Sequence, residues 1–489
     1  MRTSQKFKKP IFIISIFTFL FLSSILSAAT LNVPVPYATI TAALAVANGN
    51  LESDEIIIAA GTYSEAAALT CSESGTTFTG SGGTVTVRVP DSANAVFVLN
   101  VDITGIVLNN LTIDRPTCNN DWMRCVECGP VSSITINNCT LSGPANGIGL
   151  ILFNAADAVI NGSTFSNFNS ITSWGAAIFI ESDHPSLYTD LTVDNCIFGP
   201  NCTGWIKTNP FGNDAVVGNV TVTNCDFQVA LQPQALKFID NNNSMRYDPT
   251  AAILFQDCSF EGTGLEVAEF HYTSGGGPSS LTFSRCEFKT YDSYRKMMYL
   301  DLPTTIDFEN CLFGGGKHEN IITVWGGPVS VNLYHCTMVN DGITASESAS
   351  GFDRSSFITG WDGGRTFMVR DSLFYCPTNY TPGLTDVGWG NTTARIYDIA
   401  YSIIEHATPS DSSVTIIPGT NYSNEPINFV NPGARNYHLA VGSPAIDGGT
   451  DLAYTLDLEG NARNQGSAPD MGCYESAGAP SSAQYWSIF

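Results

Sequence analysis

The sequence predicts an all-β chain: a right-handed parallel β-helix, a solenoid of about three strands per coil with a short N-terminal capping helix. Three observations carry this. First, one short phrase returns ten times, an apolar alternation, a polar residue, Cys or Ser, one residue, then a bulky apolar residue. It reads ITINNCTL, VINGSTF, LTVDNCIF, VTVTNCDF, ILFQDCSF, LTFSRCEF, IDFENCLF, VNLYHCTM, FMVRDSLF and IYDIAYSII. The Cys/Ser positions are Cys139, Ser163, Cys196, Cys225, Cys258, Cys286, Cys311, Cys336, Ser372 and Ser402, with a diverged copy at Leu111. The mean interval is about 29 residues, the length of a solenoid coil. Second, the spacing varies from 24 residues (139 to 163) to 36 (336 to 372), so a fixed strand unit alternates with loops of variable length. Third, Gly, Asn, Ser and Thr are abundant, only 13% of residues are charged, and helix formers are scarce beyond the first region; this composition favours strands and tight turns.

Each element follows in order. Residues 1–29 read as a secretory signal: a basic start (Arg2, Lys6, Lys8, Lys9), an apolar run from Ile11 to Leu26, then Ser27-Ala28-Ala29 as a small-residue cleavage site. Cleavage removes four positive charges from a net −24 and leaves 460 residues at −28. That acidity excludes nucleic-acid and anionic-membrane partners, which attract clustered Lys and Arg. No second long apolar run follows, so no membrane insertion is expected after cleavage, and the mature chain is expected to be secreted, at the cell surface or beyond it, as a monomer. Residues 30–103 form the N-terminal cap and first coils, 104–420 the repeats, 421–475 a closing segment and 476–489 a short tail.

Within LTVDNCIF, Leu191, Val193, Cys196 and Phe198 should face inward, and Asp194-Asn195 interrupts the alternation. Asn accepts left-handed backbone and bonds its own backbone, so the phrase reads as strand, sharp turn, strand. Stacked coils then form ladders about 4.8 Å apart: Asn/Asp at the bend, Cys after it, and Phe two further on (Phe165, Phe198, Phe227, Phe260, Phe288, Phe313 and Phe374). A second strand follows each phrase: GLILF, AAIFIES, WIKT, ALKFID, VAEFHYT, MMYLD, IITVW and SSFITGW.

The ladders resemble the pectate-lyase-like, right-handed β-helix superfamily. VPVPYATITAALAVANGNLESDEIIIAAGTYSE (33–65) is similar to its entry motif, a capping helix with Ile40, Leu44 and Ala47 on one face, covering an otherwise open sheet edge. Residues 429–475 resemble the closing segment of secreted bacterial β-helix repeat proteins through Tyr437, His438, Leu439, Ser443-Pro444-Ala445-Ile446-Asp447, Gly449, Asp457, Gly460, Arg463, Gly466, Asp470, Gly472, Tyr474 and Glu475, with Cys473 where Ala is commoner. The resemblance implies architecture; activity rests on sites grafted onto the fold. The chain lacks the paired Asp-Asp and Gly-His-Gly of polygalacturonase-like members, and the calcium-binding Asp cluster and short basic motif of pectate-lyase-like members.

The Cys ladder is expected to be small apolar filler with reduced thiols, since Ser substitutes in three coils and stacked side chains run parallel. Outside it lie Cys71, Cys118, Cys125, Cys128, Cys202, Cys376 and Cys473. The segment CNNDWMRCVEC reads as a loop between coils holding a disulfide of open connectivity; zinc lacks a fourth ligand. Asp457, Arg463, Asp470 and Glu475 read as a structural set, an Arg held by carboxylates where the last coil ends.

The second strands carry the functional expectation. Alternation projects Lys207, Lys237, Glu269, His271, Tyr299, Asp301 and Trp325 outward on successive coils, near Glu181 and Asp240, with Trp325, Trp361 and Trp389 ending later strands as sugar-stacking platforms. Glu269 and Asp301 would serve a hydrolase; Lys237, His271 or Tyr299 would abstract a sugar proton in a lyase. The expected partner is a polysaccharide or cell-surface glycan. No cofactor is expected with certainty; calcium could bridge an acidic chain to an acidic substrate. The competing readings are an ordinary solvated face and a non-catalytic, adhesin-like surface or matrix rod.

Overall fold

A computed structural model describes residues 28–50, 52–115, 123–143, 147–154, 156–168, 176–181, 188–199, the strands and turns between 201 and 423 named below, and 425–476. The signal segment, Cys118, Asp240, Trp325, Trp361, Trp389 and the tail lie outside the described residues.

Parallel strands stack into a 28-stranded sheet and an 11-stranded sheet, with a separate antiparallel pair near the C-terminus. The large sheet holds both limbs of every repeat phrase; the smaller one holds the second strands. In the phrase around Cys196, Thr189–Asp194 runs into the bend at Asn195 and leaves as Ile197–Phe198. The bend residue is left-handed in every coil from 110 to 401, with φ between +49° and +57°. Asn, Asp or Gly fills most of these places because they tolerate this backbone best; Arg285, His335 and Tyr401 are the departures. The bend does not interrupt the sheet. Its amide donates to the next coil, Asn138 to the Asn161 carbonyl at 2.9 Å and Asn195 to the Thr223 carbonyl at 3.0 Å. The predicted right-handed β-helix and its three strands per coil therefore stand on this topology.

The inward ladders fill the core. Six phenylalanines from Phe165 to Phe313 stack with centroids 4.4–5.1 Å apart and planes within 12°; Met338 then separates Phe313 from Phe374. The ladder cysteines are buried. Their role is visible from the serines that replace them. Cys196 and Cys225 donate to the carbonyl two residues back at 3.2 and 3.1 Å; Ser163, Ser372 and Ser402 do the same at 3.0, 2.8 and 2.9 Å. Burial pushes the Cys139 thiol up to about 11 and that of Cys202 to about 12, which suppresses the reactive thiolate. Cys225→Ser is thus expected to change stability by about 1 kcal/mol or less, and Cys225→Val, which removes only the second donor to a Thr223 carbonyl still served by the Asn195 amide, should cost no more than about 1 kcal/mol; urea unfolding of the two variants compares them directly.

One cysteine expectation is corrected. Cys125 and Cys128 do not sit in a disulfide loop. They lie in the strand Arg124–Cys128, buried in the core, and the Cys125 thiol donates to the Ile113 and Ser142 carbonyls at 3.7 and 3.6 Å. The strand Arg124–Cys128 pairs with Ile148–Phe153, so RCVEC is a second strand of the ladder rather than a connection.

The N-terminal cap is a helix, Ile40–Ala47, burying Ile40, Ala43, Leu44 and Ala47 on the first coil. Glu65, last residue of the entry motif, returns to hold its N-terminus: its carboxylate accepts from the Ile40 and Thr41 amides at 2.9 and 3.2 Å and from Thr41 Oγ1 at 2.5 Å. A carboxylate there also suits the positive end of the helix dipole.

The C-terminal segment departs from expectation in place and in chemistry. Arg463 is buried, but it sits against the flank of earlier coils rather than at the last one, and of the three carboxylates only that of Glu475 accepts from it; Asn310 and two backbone carbonyls take its other donors. Its Nε and Nη2 donate to Asn310 Oδ1 at 3.1 and 2.5 Å, Nη1 to the Asp470 carbonyl at 3.2 Å and Glu475 Oε2 at 3.4 Å, and Nη2 to the Gly472 carbonyl at 2.8 Å. The Cys473 amide donates to Thr337 Oγ1 at 3.1 Å and the Gly472 amide to the Asp371 carbonyl at 2.7 Å. The segment folds back over Leu312, Val339, Leu373 and Ile403, which form a separate apolar cluster with Phe429, Tyr437, Leu439 and Cys473.

Candidate functional site on the second sheet

Register places most of the predicted residues in two adjacent columns. Glu127, Ile151, Phe179, Lys207, Lys237, Glu269, Tyr299, Thr323 and Thr359 are successive partners along one line. Two residues further along their strands, Glu181 pairs with Phe153 and His271 with Asp301. The sequence alternation therefore brings Lys207, Lys237, Glu269 and Tyr299 onto consecutive rungs, with Glu181, His271 and Asp301 in the flanking column. For Lys237 and His271 only the backbone position is described.

Local sequence explains the outward aim. Each strand alternates core residues with these side chains: Ala268 and Phe270 flank Glu269, and Leu300 and Leu302 flank Asp301, all fully or nearly fully buried. Glu269 and Asp301 are one rung and two residues apart. A 4.8 Å strand spacing and two rises of 3.3 Å put their backbone positions about 8 Å apart.

Several side chains of this face are sheltered. Lys207, Glu269, Asp301 and Asn320 expose only 7–9% of their surface, and Thr323 none. At the N-terminal end of the same face, Ile148, Ile151, Ala176 and Phe179 form an outward apolar cluster with Phe153. Arg124 lies over the Phe153 ring at 5.2 Å and pairs with Glu127. The outer face of the large sheet is open by contrast, with Val159 40% exposed and Thr192 exposed beside it in register. Chemistry-bearing side chains are thus gathered on the sheltered face, where reduced dielectric strengthens every charge interaction.

Sequence reasoning missed Arg124, Glu127, Asn320 and Thr323 on this face. Reading RCVEC as a cysteine loop hid the first two, although Glu127 holds the alternating position in it. Among the described residues no group of three or more His, Cys, Asp or Glu is placed to hold a metal ion, and no helix is long and apolar enough to cross a membrane.

No family model matches the chain, and no curated protein sequence matches it. Among solved structures, the chain is similar to the crystal structure of pectate lyase Pel9A, with 13% identity, a TM-score of 0.39, and coverage of 92% of this chain and 97% of that one. The chain's own strand pairing, rather than that likeness, makes it a parallel β-helix.

Proposed function

We propose that the protein is an exported β-helix that binds polysaccharide along the outer face of its second sheet and hydrolyses it there. The observation that carries this reading is the run Lys207, Lys237, Glu269, Tyr299 on four consecutive rungs, with Asp301 one step aside and Lys207, Glu269 and Asp301 sheltered. Lysines and a phenol beside one another suit the hydroxyls and anionic groups of a glycan lying along the rod. Backbone positions about 8 Å apart let the two carboxyl groups sit on either side of a water, as the acid and base of an inverting glycosidase do. In these roles one of Glu269 and Asp301 protonates the leaving oxygen and the other activates the water.

The test is incubation of the purified mature chain, from Thr30, with neutral and acidic polysaccharides, with and without calcium. New reducing ends without ultraviolet absorbance of unsaturated sugars support hydrolysis, and the first product should carry inverted anomeric configuration. Unsaturated products would replace hydrolysis by elimination, with Lys237, His271 and Tyr299 as the bases to test. Co-pelleting without cleavage would reduce the reading to a carbohydrate-binding rod.

A further inference from the structure

The C-terminal fold-back meets the rod at a buried imidazole and carboxyl. His335 and Asp371 occupy the left-handed bend of successive coils, each at φ +51°, where Asn is the commonest residue. Neither is solvent-exposed, and His335 Nε2 lies 3.6 Å from Asp371 Oδ2. Their other partners come from the segment. His335 Nδ1 is 3.2 Å from the Asp470 carbonyl oxygen, which can only accept, so Nδ1 carries the hydrogen and Nε2 is left as an acceptor. Thr450 Oγ1 donates to Asp371 Oδ2 at 2.7 Å, while Asp371 Oδ1 is buried without a hydrogen-bond partner. Arg463 from the segment faces both groups, Arg370 from the coils faces Asp371, and the Tyr454 ring stands edge-on to His335 at 5.8 Å. A carboxylate with an unpartnered buried oxygen is costly; a carboxylic acid facing an imidazole nitrogen is not.

We infer that the docked pair carries one proton, on Asp371 beside a neutral His335, and that this arrangement keeps the C-terminal segment docked with constant strength across mildly acidic pH. Each group alone would make docking pH-dependent, in opposite senses. Burial, and then the charge of Arg463, lower His335 from its ordinary 6.5 to about 3. Its contribution is complete above pH 6.5 and is lost tenfold per unit as pH falls toward 3. Burial raises Asp371 from 3.8 to about 6, so its contribution grows tenfold per unit as pH falls from 6 to 3.8. Between pH 6 and about 4 both windows overlap and the slopes cancel. One proton is bound in either state, on Asp371 when docked and on His335 when released.

Amide hydrogen exchange of residues 429–475 in the full mature chain, corrected for intrinsic rates, tests this. Docking of the wild type should vary less than about threefold between pH 6 and 4. Asp371→Asn, which keeps a residue suited to the bend, should lose about 100-fold over the same range, and His335→Asn should gain about 100-fold. The double variant should again be flat. A wild type that loses tenfold or more, or an Asp371→Asn variant as flat as the wild type, overturns the inference. Nitrogen-15 spectra of the wild-type imidazole at pH 5 need no variant: a neutral ring protonated at Nδ1 agrees, and an imidazolium contradicts.

Discussion

Arg463→Ala is expected to detach the C-terminal segment while leaving the coils folded. The guanidinium is 5% exposed and serves Asn310, Glu475 and the carbonyls of Asp470 and Gly472 together. Removing it takes the counter-charge from the buried Glu475 carboxylate and the guanidinium donors from the Asn310 and Gly472 oxygens, a loss of about 3–5 kcal/mol for a broken buried pair. Arg463→Lys should recover little, because one ammonium cannot reach acceptors spread across a planar fork. A solenoid loses stability locally, so the readout is protease sensitivity and amide exchange of 429–475 beside unchanged exchange in the strand Thr189–Asp194. A loss below about 1 kcal/mol would contradict the assigned role.

Phe227→Ala should cost about 3–5 kcal/mol, the usual penalty of emptying a buried aromatic site. Phe227 is fully buried, stacked between Phe198 at 4.4 Å and Phe260 at 4.7 Å, with Trp205 at 5.1 Å. Parallel rings on fixed rungs cannot close over the gap, since each backbone is held by its ladder of hydrogen bonds. The effect should concentrate in coils 196–260 by hydrogen exchange, and Phe227→Leu should restore part of it. An even loss along the whole rod would show that the coils unfold as one unit instead.

Much of this architecture is legible in the sequence because β-helix coils repeat a physical constraint at each rung. The left-handed bend favours Asn, Asp or Gly, the place beside it is a small donor in ten of eleven copies, and the Phe place faces a stack; all three survive as a phrase. Strand alternation likewise fixes which side of the second sheet Lys207, Glu269 and Asp301 occupy. What alternation cannot give is whether an outward face meets water. That depends on the rest of the chain, and so the sheltering of the second sheet was not foreseen. The same limit hid the fold-back of 429–475, although two signals mark it. The residue after Cys/Ser is Thr at 112, 140 and 164 but apolar at Leu312, Leu373 and Ile403, where the segment covers it; Thr337 between them is covered too and accepts from the Cys473 amide, and Ile197 is an apolar residue left exposed. The bend residue changes from Asn to His335, which faces Asp470. A closing motif also reads as an end in one dimension, while its Arg463 reaches Asn310, 153 residues earlier.

The most direct test of the central claim is the initial rate of reducing-end release from the polysaccharide the mature chain degrades best, for the wild type, Glu269→Gln and Asp301→Asn. Both substitutions keep shape and remove acid–base capacity, so each should lower the rate by about 10²–10⁴-fold while glycan co-pelleting persists. A wild type that releases no reducing ends from any polysaccharide, or variants that cleave at the wild-type rate, would contradict hydrolysis on this face.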